Sequence, residues 1–325
     1  MSGNLIKDEN LKLLRDVLRK EKEATKSQLA EKTGLSVVTI QSLMKTLLEE
    51  GEALEGETIQ PKLGRPAVSY RYYERARLAL VIYMYEKNKM DTAVYQVCDL
   101  YGNCMEKREK SMHEVTQKSY DTMIEAMIEK YPAICIIALG LPAVAREGFI
   151  LASDYPKLVE TDLGAYLQGK FGKEVLIEND INAAVFGYAV SGEKNQTGCT
   201  AGIYMPRKYP PGAGICIDGK VQRGRNGMVG EIALLPPEID WRHFSYEKKA
   251  VEEFLVQAMK ALFCLYNPDR IVLYSEIMGK ELLSKLQQAC TKPIEKLLIP
   301  EIEIKKGLNE DFETGMVQLA LREIL

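Results

Sequence analysis

Ser27-Gln-Leu-Ala-Glu-Lys-Thr-Gly-Leu-Ser36, continued by Val37-Val-Thr-Ile-Gln-Ser-Leu-Met-Lys-Thr-Leu-Leu-Glu-Glu50, is the stretch on which the reading of this chain turns. Ser27 is placed to cap a short helix that Gly34 ends, and Ser36 to cap a second that runs from Val37 to about Glu50 and stops at Gly51. In the second helix Ile40, Leu43, Met44, Leu47 and Leu48 fall on one stripe, which must face a core. Val37, Val38, Thr39, Gln41, Ser42 and Lys45 are left on the opposite face. Two helices joined by a tight glycine turn, the second opening on small polar residues, form the helix-turn-helix layout.

A helix that enters a major groove needs short hydrogen-bonding side chains on the outer face of its first turns. Ser36, Thr39, Gln41 and Ser42 meet that need, Val37 or Val38 suits a thymine methyl, and Lys45 suits a phosphate. Upstream, Leu5, Leu11, Leu14, Val17 and Leu18 recur at helical spacing among charges. Downstream, residues 53–59 and 67–73 read as strands around the loop Gln60-Pro-Lys-Leu-Gly-Arg-Pro66. That hairpin is a wing, with Lys62 and Arg65 at its tip for phosphate or a narrow minor groove. Residues 1–75 are therefore expected to be a winged helix-turn-helix that reads double-stranded DNA.

Beyond Arg75 strands and helices alternate. Strands are expected at 78–85, 92–99 and 104–110, then a helix at 117–130 and an apolar strand at 133–139. Helix 162–171, strand 174–177 and helix 182–190 follow. Strands 200–205, 213–217 and 220–223 come next, the last two joined by Asp218-Gly219, a hairpin signal. Helix 246–265, strand 270–273, helix 280–289, strand 301–304 and a helix near 311–321 complete the chain. Three meandering strands, a helix and a further strand open each lobe of an actin-like or hexokinase-like (ribonuclease H-like) fold. The expected class is thus α/β, a winged helix-turn-helix joined to a two-lobed domain over 76–325. One lobe is expected to take 76–190 plus the C-terminal helix, the other 191–310.

Composition narrows the classes without naming one. At 325 residues, 46% hydrophobic and 27% charged, the chain is long enough for about two packed domains. Net charge is −3, divided as +1 before residue 76 and −4 after it, so bulk basicity does not announce nucleic acid. Seven scattered cysteines without a Cys-x-x-Cys pair, and isolated His113 and His243, speak against a disulfide framework or a metal site. Asp8, Glu9 and Asp16 spoil a signal peptide, and the apolar run 134–145 is broken by Gly140 and Pro142. A cytoplasmic, membrane-free protein is expected.

The chain resembles the ROK family of repressors, open reading frames and sugar kinases, particularly its repressors of the xylose and N-acetylglucosamine type. The resemblance runs over almost the whole sequence. It is carried by Gly64-Arg-Pro66 in the wing, Gly140-Leu-Pro142, Val175-Leu-Ile-Glu-Asn-Asp-Ile-Asn-Ala-Ala184 and Gly212-Ala-Gly-Ile-Cys-Ile-Asp-Gly219. Gly224-Arg-Asn-Gly-Met-Val-Gly-Glu231 and Asn267-Pro-Asp-Arg-Ile-Val-Leu273 complete it. It implies that Asn179, Asp180 and Glu231 face a sugar, with Asp180 at the position of the kinases' general base. Taken without the resemblance, Glu178-Asn-Asp180 reads equally as a helix cap, and Glu231 as a surface acid near a turn.

The departures from that family point away from catalysis. Where it has a glycine phosphate loop after the first strand, this chain has Tyr83-Met-Tyr-Glu-Lys-Asn-Lys89. The second phosphate loop reads Met205-Pro-Arg-Lys-Tyr-Pro-Pro211, three prolines removing three backbone donors. Tyr274-Ser-Glu276 replaces a glycine-rich nucleotide turn, and Leu234 stands where a zinc-binding histidine is usual. No catalytic residue, metal or cofactor is therefore expected, Asp180 being vestigial. Arg207 and Lys208 read either as contacts for a sugar phosphate or as solvated cations. The expected function is a DNA-binding regulator of carbohydrate genes, most simply a repressor, working as a homodimer or homotetramer on an operator with a sugar or sugar-phosphate effector. An active kinase transferring phosphate from ATP to a hexose, and a ligand-independent scaffold, stand as the alternatives.

Overall fold

The structure, a computed structural model, describes residues 2–59, 66–191, 197–207, 209–236, 238–275 and 300–325. It opens with α1 (Ser2–Glu21), β1 (Glu23–Thr25), α2 (Lys26–Thr33), α3 (Val37–Glu49), β2 (Ala53–Ile59) and β3 (Ala67–Tyr72). Leu11, Leu14 and Leu18 of α1, Leu29 of α2, and Ile40, Leu43, Met44 and Leu47 of α3 close one apolar core, with Leu48 half-buried at its edge. Each such side chain contributes about 1.5–3 kcal/mol by leaving water. Gly34 ends α2 in the left-handed conformation, and Ser36 caps α3, its Oγ accepting from Thr39 N at 3.1 Å. The cap of α2 differs from the sequence expectation. It is Thr25, not Ser27, and Gln28 completes a reciprocal capping box with it. Thr25 can do this because it ends β1, an unexpected strand that pairs antiparallel with β3 (Ala24 opposite Tyr70) and widens the β2–β3 hairpin to three strands.

Two five-stranded sheets follow, built to one plan. The first has the order β10-β7-β4-β5-β6, from β4 (Leu78–Lys87), β5 (Met90–Cys98), β6 (Cys104–Met112), β7 (Ile134–Leu141) and β10 (Glu174–Asn179). The second has the order β13-β12-β11-β14-β15, from β11 (Cys199–Tyr204), β12 (Gly212–Ile217), β13 (Lys220–Val221), β14 (Arg270–Tyr274) and β15 (Glu301–Lys305). Each is an antiparallel meander of three strands continued by two parallel ones. Leu78 through Met84 are all buried, as a central strand covered on both faces requires. Helices α4 (Asp121–Lys130) and α5 (Leu163–Phe171) accompany the first sheet and α7 (Lys248–Tyr266) the second. The expected helix at 117–130 begins as a 3-10 turn over Gln117–Tyr120. A small hairpin that the sequence reading missed, β8 (Ala143–Arg146) and β9 (Phe149–Ser153), follows β7. The expected helix at 280–289 lies outside the described residues.

Helix α6 (Asp180–Val190) lies between the sheets, in contact with β11 and β12 of the second and with β10 and β7 of the first. Helix α8 (Asn309–Ile324) packs against α6, β4 and β7. The two helices cross on glycine. A Cβ on Gly187 would stand 1.9 Å from the Asp311 carbonyl oxygen, and one on Gly315 1.8 Å from that of Ala183. The opening module is fastened to this body by charge. Buried Glu52, just past α3, takes Arg15 Nε of α1 at 2.5 Å and Arg77 at 2.5 Å, while Arg77 also donates to the Ile324 carbonyl at the end of α8 (3.1 Å).

Candidate functional site

Between the two sheets lies a cleft of about 360 Å³. Parallel β-strands deliver it, because β4, β7 and β10 all end on the same edge of their sheet. Asn179 closes β10 and caps α6, its Oδ1 accepting from Asn182 N at 3.2 Å and its Nδ2 donating to the Ala143 carbonyl at 3.2 Å. Asp180 opens α6, and Ile181 N donates to its carboxylate at 2.8 Å. Glu231 comes from the second half of the chain, held near the start of β12 where Ala213 N donates to the Gly230 carbonyl at 2.8 Å. All three line the cleft. Burial pushes the Asp180 carboxyl up to about 6 against the pull of its backbone donors, and the neighbouring Glu231 charge adds to the rise. Burial raises Glu231 as well. Two carboxyls with a displaced proton affinity, one cap amide and Tyr155 beside them can orient hydroxyl groups and accept a proton from one.

Sequence reasoning passed over the group that holds this end together. Glu178 is 3% exposed, and its Oε1 accepts from Asn179 N (3.0 Å) and Asn182 Nδ2 (3.3 Å). Its Oε2 takes Arg223 Nε at 2.8 Å and a second, shorter contact from the same guanidinium. A carboxylate closing a strand inside the fold needs such a partner, and that requirement was the one clue available. Since Arg223 follows β13, the pair ties the first sheet to the loop that carries Glu231. Gly227 of that loop also lies against Ala145 of β8: a Cβ there would stand 3.0 Å from the Ala145 carbonyl oxygen.

The other end of the cleft is built from the stretches that stand where the family resemblance implies phosphate loops. Tyr83 lies in mid-strand, donating from its hydroxyl to Glu313 of α8 (2.7 Å) with its ring edge-on to Phe312 (5.6 Å). Strand β4 runs on to Lys87 and turns at Asn88-Lys89, both with positive φ, so Met84, Tyr85 and Glu86 line the cleft where a backbone cradle would be needed. Met205, Pro206, Arg207, Tyr209, Pro210 and Pro211 form the facing wall. Tyr274 is buried, its hydroxyl donating to Asp311 Oδ2 (2.9 Å), which Lys305 also meets at 2.7 Å. Lys208 and Glu276 lie outside the described residues. Leu234 is 71% exposed. Among the described residues no group of three or more His, Cys, Asp or Glu is placed to hold a metal ion, and no helix is long and apolar enough to cross a membrane.

On the opening module, Val37, Val38, Gln41, Ser42 and Lys45 are exposed on one face of α3, Val38 at 78%. Thr39 is half-buried, and its hydroxyl shares a hydrogen bond with that of Ser36 at 2.8 Å. Those two groups are thus engaged with each other as well as with the cap. Lys45 lies 3.7 Å from Glu49, an exposed pair of small energetic weight. Lys62, Gly64 and Arg65 of the wing tip lie outside the described residues.

Comparison with known proteins bears on the family. The chain is 25% identical over 287 residues to the xylose repressor of Bacillus spizizenii (strain ATCC 23059 / NRRL B-14472 / W23), covering 84% of this chain and 72% of that protein. It is 31% identical over 127 residues to the N-acetyl-D-glucosamine kinase of Vibrio cholerae serotype O1, covering 37% of this chain and 41% of the kinase. The crystal structure of a ROK family transcriptional regulator, a homologue of the E. coli MLC protein, superposes with a TM-score of 0.67 at 17% identity, covering 98% of this chain and 99% of that one. That likeness fixes the two-lobed fold with its helical opening module. The ROK family profile matches residues 90–239, from β5 to beyond Glu231. Residues 90–239 thus carry a ROK family domain.

Proposed function

We propose that this protein is a DNA-binding transcription repressor of carbohydrate genes, with a sugar-sensing domain descended from a kinase that has lost its chemistry. The observation that carries the reading is the nucleotide end of the cleft. Transferring a phosphoryl group demands backbone N–H donors that approach the phosphates closely. Here those places hold the packed Tyr83, a strand running on to Lys87, and the prolines at 206, 210 and 211. Support also comes from the solvent-facing Gln41, Ser42 and Lys45 on α3, and from likeness to a xylose repressor over most of the chain.

In this reading residues 1–75 read DNA and 76–325 sense the effector, with 76–190 plus α8 as one lobe and 191–310 as the other. Ser36, Val37, Thr39, Gln41, Ser42 and Lys45 meet the major groove, Lys62 and Arg65 meet the backbone or minor groove, and Asn179, Asp180 and Glu231 hold the sugar. Two readers in a homodimer, or in a homotetramer built from two, engage paired half-sites. A ligand that prefers one lobe arrangement must change DNA affinity if the readers ride on that arrangement, which is linkage. The Glu52–Arg77–Ile324 joint is the route by which they would ride on it. Mobility shift of an operator obtained by in vitro selection, titrated with a panel of sugars, tests this. Specific retardation relieved by one sugar is expected; retardation no better than that of random duplex would remove the repressor reading.

A second reading, a working sugar kinase, is favoured by one observation: Asp180 and Glu231 share a cleft, and Asp180 titrates near 6, where a general base is useful. Likeness to an N-acetyl-D-glucosamine kinase points the same way. Coupled ADP release against the same sugars decides between the two. Turnover abolished by Asp180→Ala would establish the kinase, and release no faster than without sugar is expected.

A further inference from the structure

We infer that the rebuilt nucleotide end of the cleft is a second carbohydrate subsite, so that the effector is an uncharged glycoside of at least two rings. The inference rests on the effector reading above, in which Asp180 and Glu231 hold the first ring. One cavity runs between the two ends: the 360 Å³ lined by Asp180 and Glu231 is also lined by Tyr85, Tyr204, Met205, Pro206, Tyr209 and Pro210. That volume falls within the range of pockets that enclose drug-sized ligands. Strand order sets the reach. Asn179 closes β10 and Tyr85 lies on β4, two strands away, or about 10 Å at ~4.8 Å per strand. A single pyranose does not span that distance, whereas two linked rings do.

The chemistry of the second end selects what fills it. A pyranose presents a face of C–H groups as well as a rim of hydroxyls, and it suits a wall of tyrosine and proline faces with a few polar tips. The wall is held in place before any ligand arrives. Met205 N donates to the Tyr274 carbonyl at 2.9 Å, the Tyr209 carbonyl accepts from Tyr246 Oη at 3.2 Å, and each proline fixes its own φ. A preorganised wall lowers the ordering cost of binding. A phosphate finds the opposite conditions. Prolines donate no backbone hydrogen bond, and Glu86, Asp91 and Asp154 bring negative charge to a cavity whose cations, among the described residues, are Arg207 and Lys306. The sugar phosphate entertained from Arg207 and Lys208 is the poorer fit for that reason.

Calorimetric titration of the full chain with glucose, xylose and N-acetylglucosamine, with cellobiose, xylobiose and chitobiose, and with glucose 6-phosphate tests the subsite. One disaccharide is expected to bind at least tenfold more tightly than its own monosaccharide, and glucose 6-phosphate more weakly than glucose. Tyr209→Ala should cut the disaccharide-to-monosaccharide ratio to threefold or less, while Tyr209→Phe, which keeps the ring face, preserves it; thermal melts of both variants check folding. Equal affinity for one ring and two, a tighter sugar phosphate, or a ratio indifferent to Tyr209→Ala overturns the second subsite. If monosaccharides still bind and Asp180→Asn still weakens them, the effector reading survives that failure. If no carbohydrate binds at all, both fall.

Discussion

The two ends of the cleft have been treated differently. At one, Asn179, Asp180 and Glu231 are brought together from distant parts of the chain and held by a buried carboxylate–guanidinium tie, with Asp180 kept in an electrostatically costly place. At the other, the places where the family resemblance implies glycine turns hold residues that pack: Tyr83 on α8, Tyr274 on Asp311, prolines along the wall. A functional site commonly stores local strain that the rest of the fold sustains, and a site whose function is no longer required relaxes toward packing. On the proposed reading, the end with the displaced proton affinity is the one still in use. On the same reading the packed end no longer serves a nucleotide.

The tie offers the largest test of that contrast. Removing the partner of a buried charge costs more than the pair itself contributes, because the remaining charge is stranded. Glu178 is the buried member at 3% exposure and Arg223 the half-exposed one. Arg223→Ala should therefore destabilise the chain by about 2 kcal/mol, and Glu178→Gln, which leaves no buried charge, by about 1 kcal/mol. Urea melts of both variants measure this. Indistinguishable midpoints for Arg223→Ala and the parent would mean that the Asp180 end of the cleft is not held by charge.

The second test uses pH. Asp180 is lifted from 3.8 to about 6, so the folded state binds its proton more tightly than the unfolded chain does. The stabilisation from that proton is complete below about pH 4 and is lost as pH rises through 6, above which the ionised group weighs against folding. Asp180→Asn, which cannot ionise, should raise Tm at pH 8 by about 2 °C, for roughly 1 kcal/mol, and change little at pH 4. The same variant should lose sugar binding. Stability that falls at pH 8 would show that Asp180 is comfortable when charged, and the contrast between the ends would lose its electrostatic half.

Much of this architecture was legible in the sequence, and the parts that were not share a cause. The stripe Ile40, Leu43, Met44 and Leu47, the cap at Ser36 and the all-apolar run of β4 are local patterns with one physical solution each. Ser27 reads as the cap from the local sequence, whereas the pairing of Ala24 with Tyr70 puts Thr25 in that place. The hairpin β8–β9 has short strands behind Pro142, too brief to alternate, and its turn at Glu147-Gly148 carries the only signal. Glu178 and Arg223 are 45 residues apart, and Gly187 and Gly315 are farther still, so nothing local links either pair. In the cleft, only the family resemblance linked Asn179, Asp180 and Glu231, which line one cavity; residue type alone read Asn179 as a helix cap, which it also is. Residue identity could not foretell that the phosphate-loop replacements would line the same cavity as those three.

The smallest effect belongs to the packed end, and it asks how many changes separate that end from a nucleotide site. Glu86 lines the cleft beyond Tyr85, a charge of the wrong sign for a triphosphate. Near a protein surface one such charge a few ångströms from an anion opposes it by a few kcal/mol at most, and solvent and salt screen much of that at an exposed side chain. Glu86→Gln should therefore leave ATP binding, followed by calorimetry, within about threefold of the parent, because the missing backbone donors at Pro206, Pro210 and Pro211 are not restored by removing a charge. Tight ATP binding in that variant would mean that a single carboxylate had closed the site. The packing of Tyr83 and Tyr274 would then be incidental, and the two ends of the cleft would differ by one residue rather than by function.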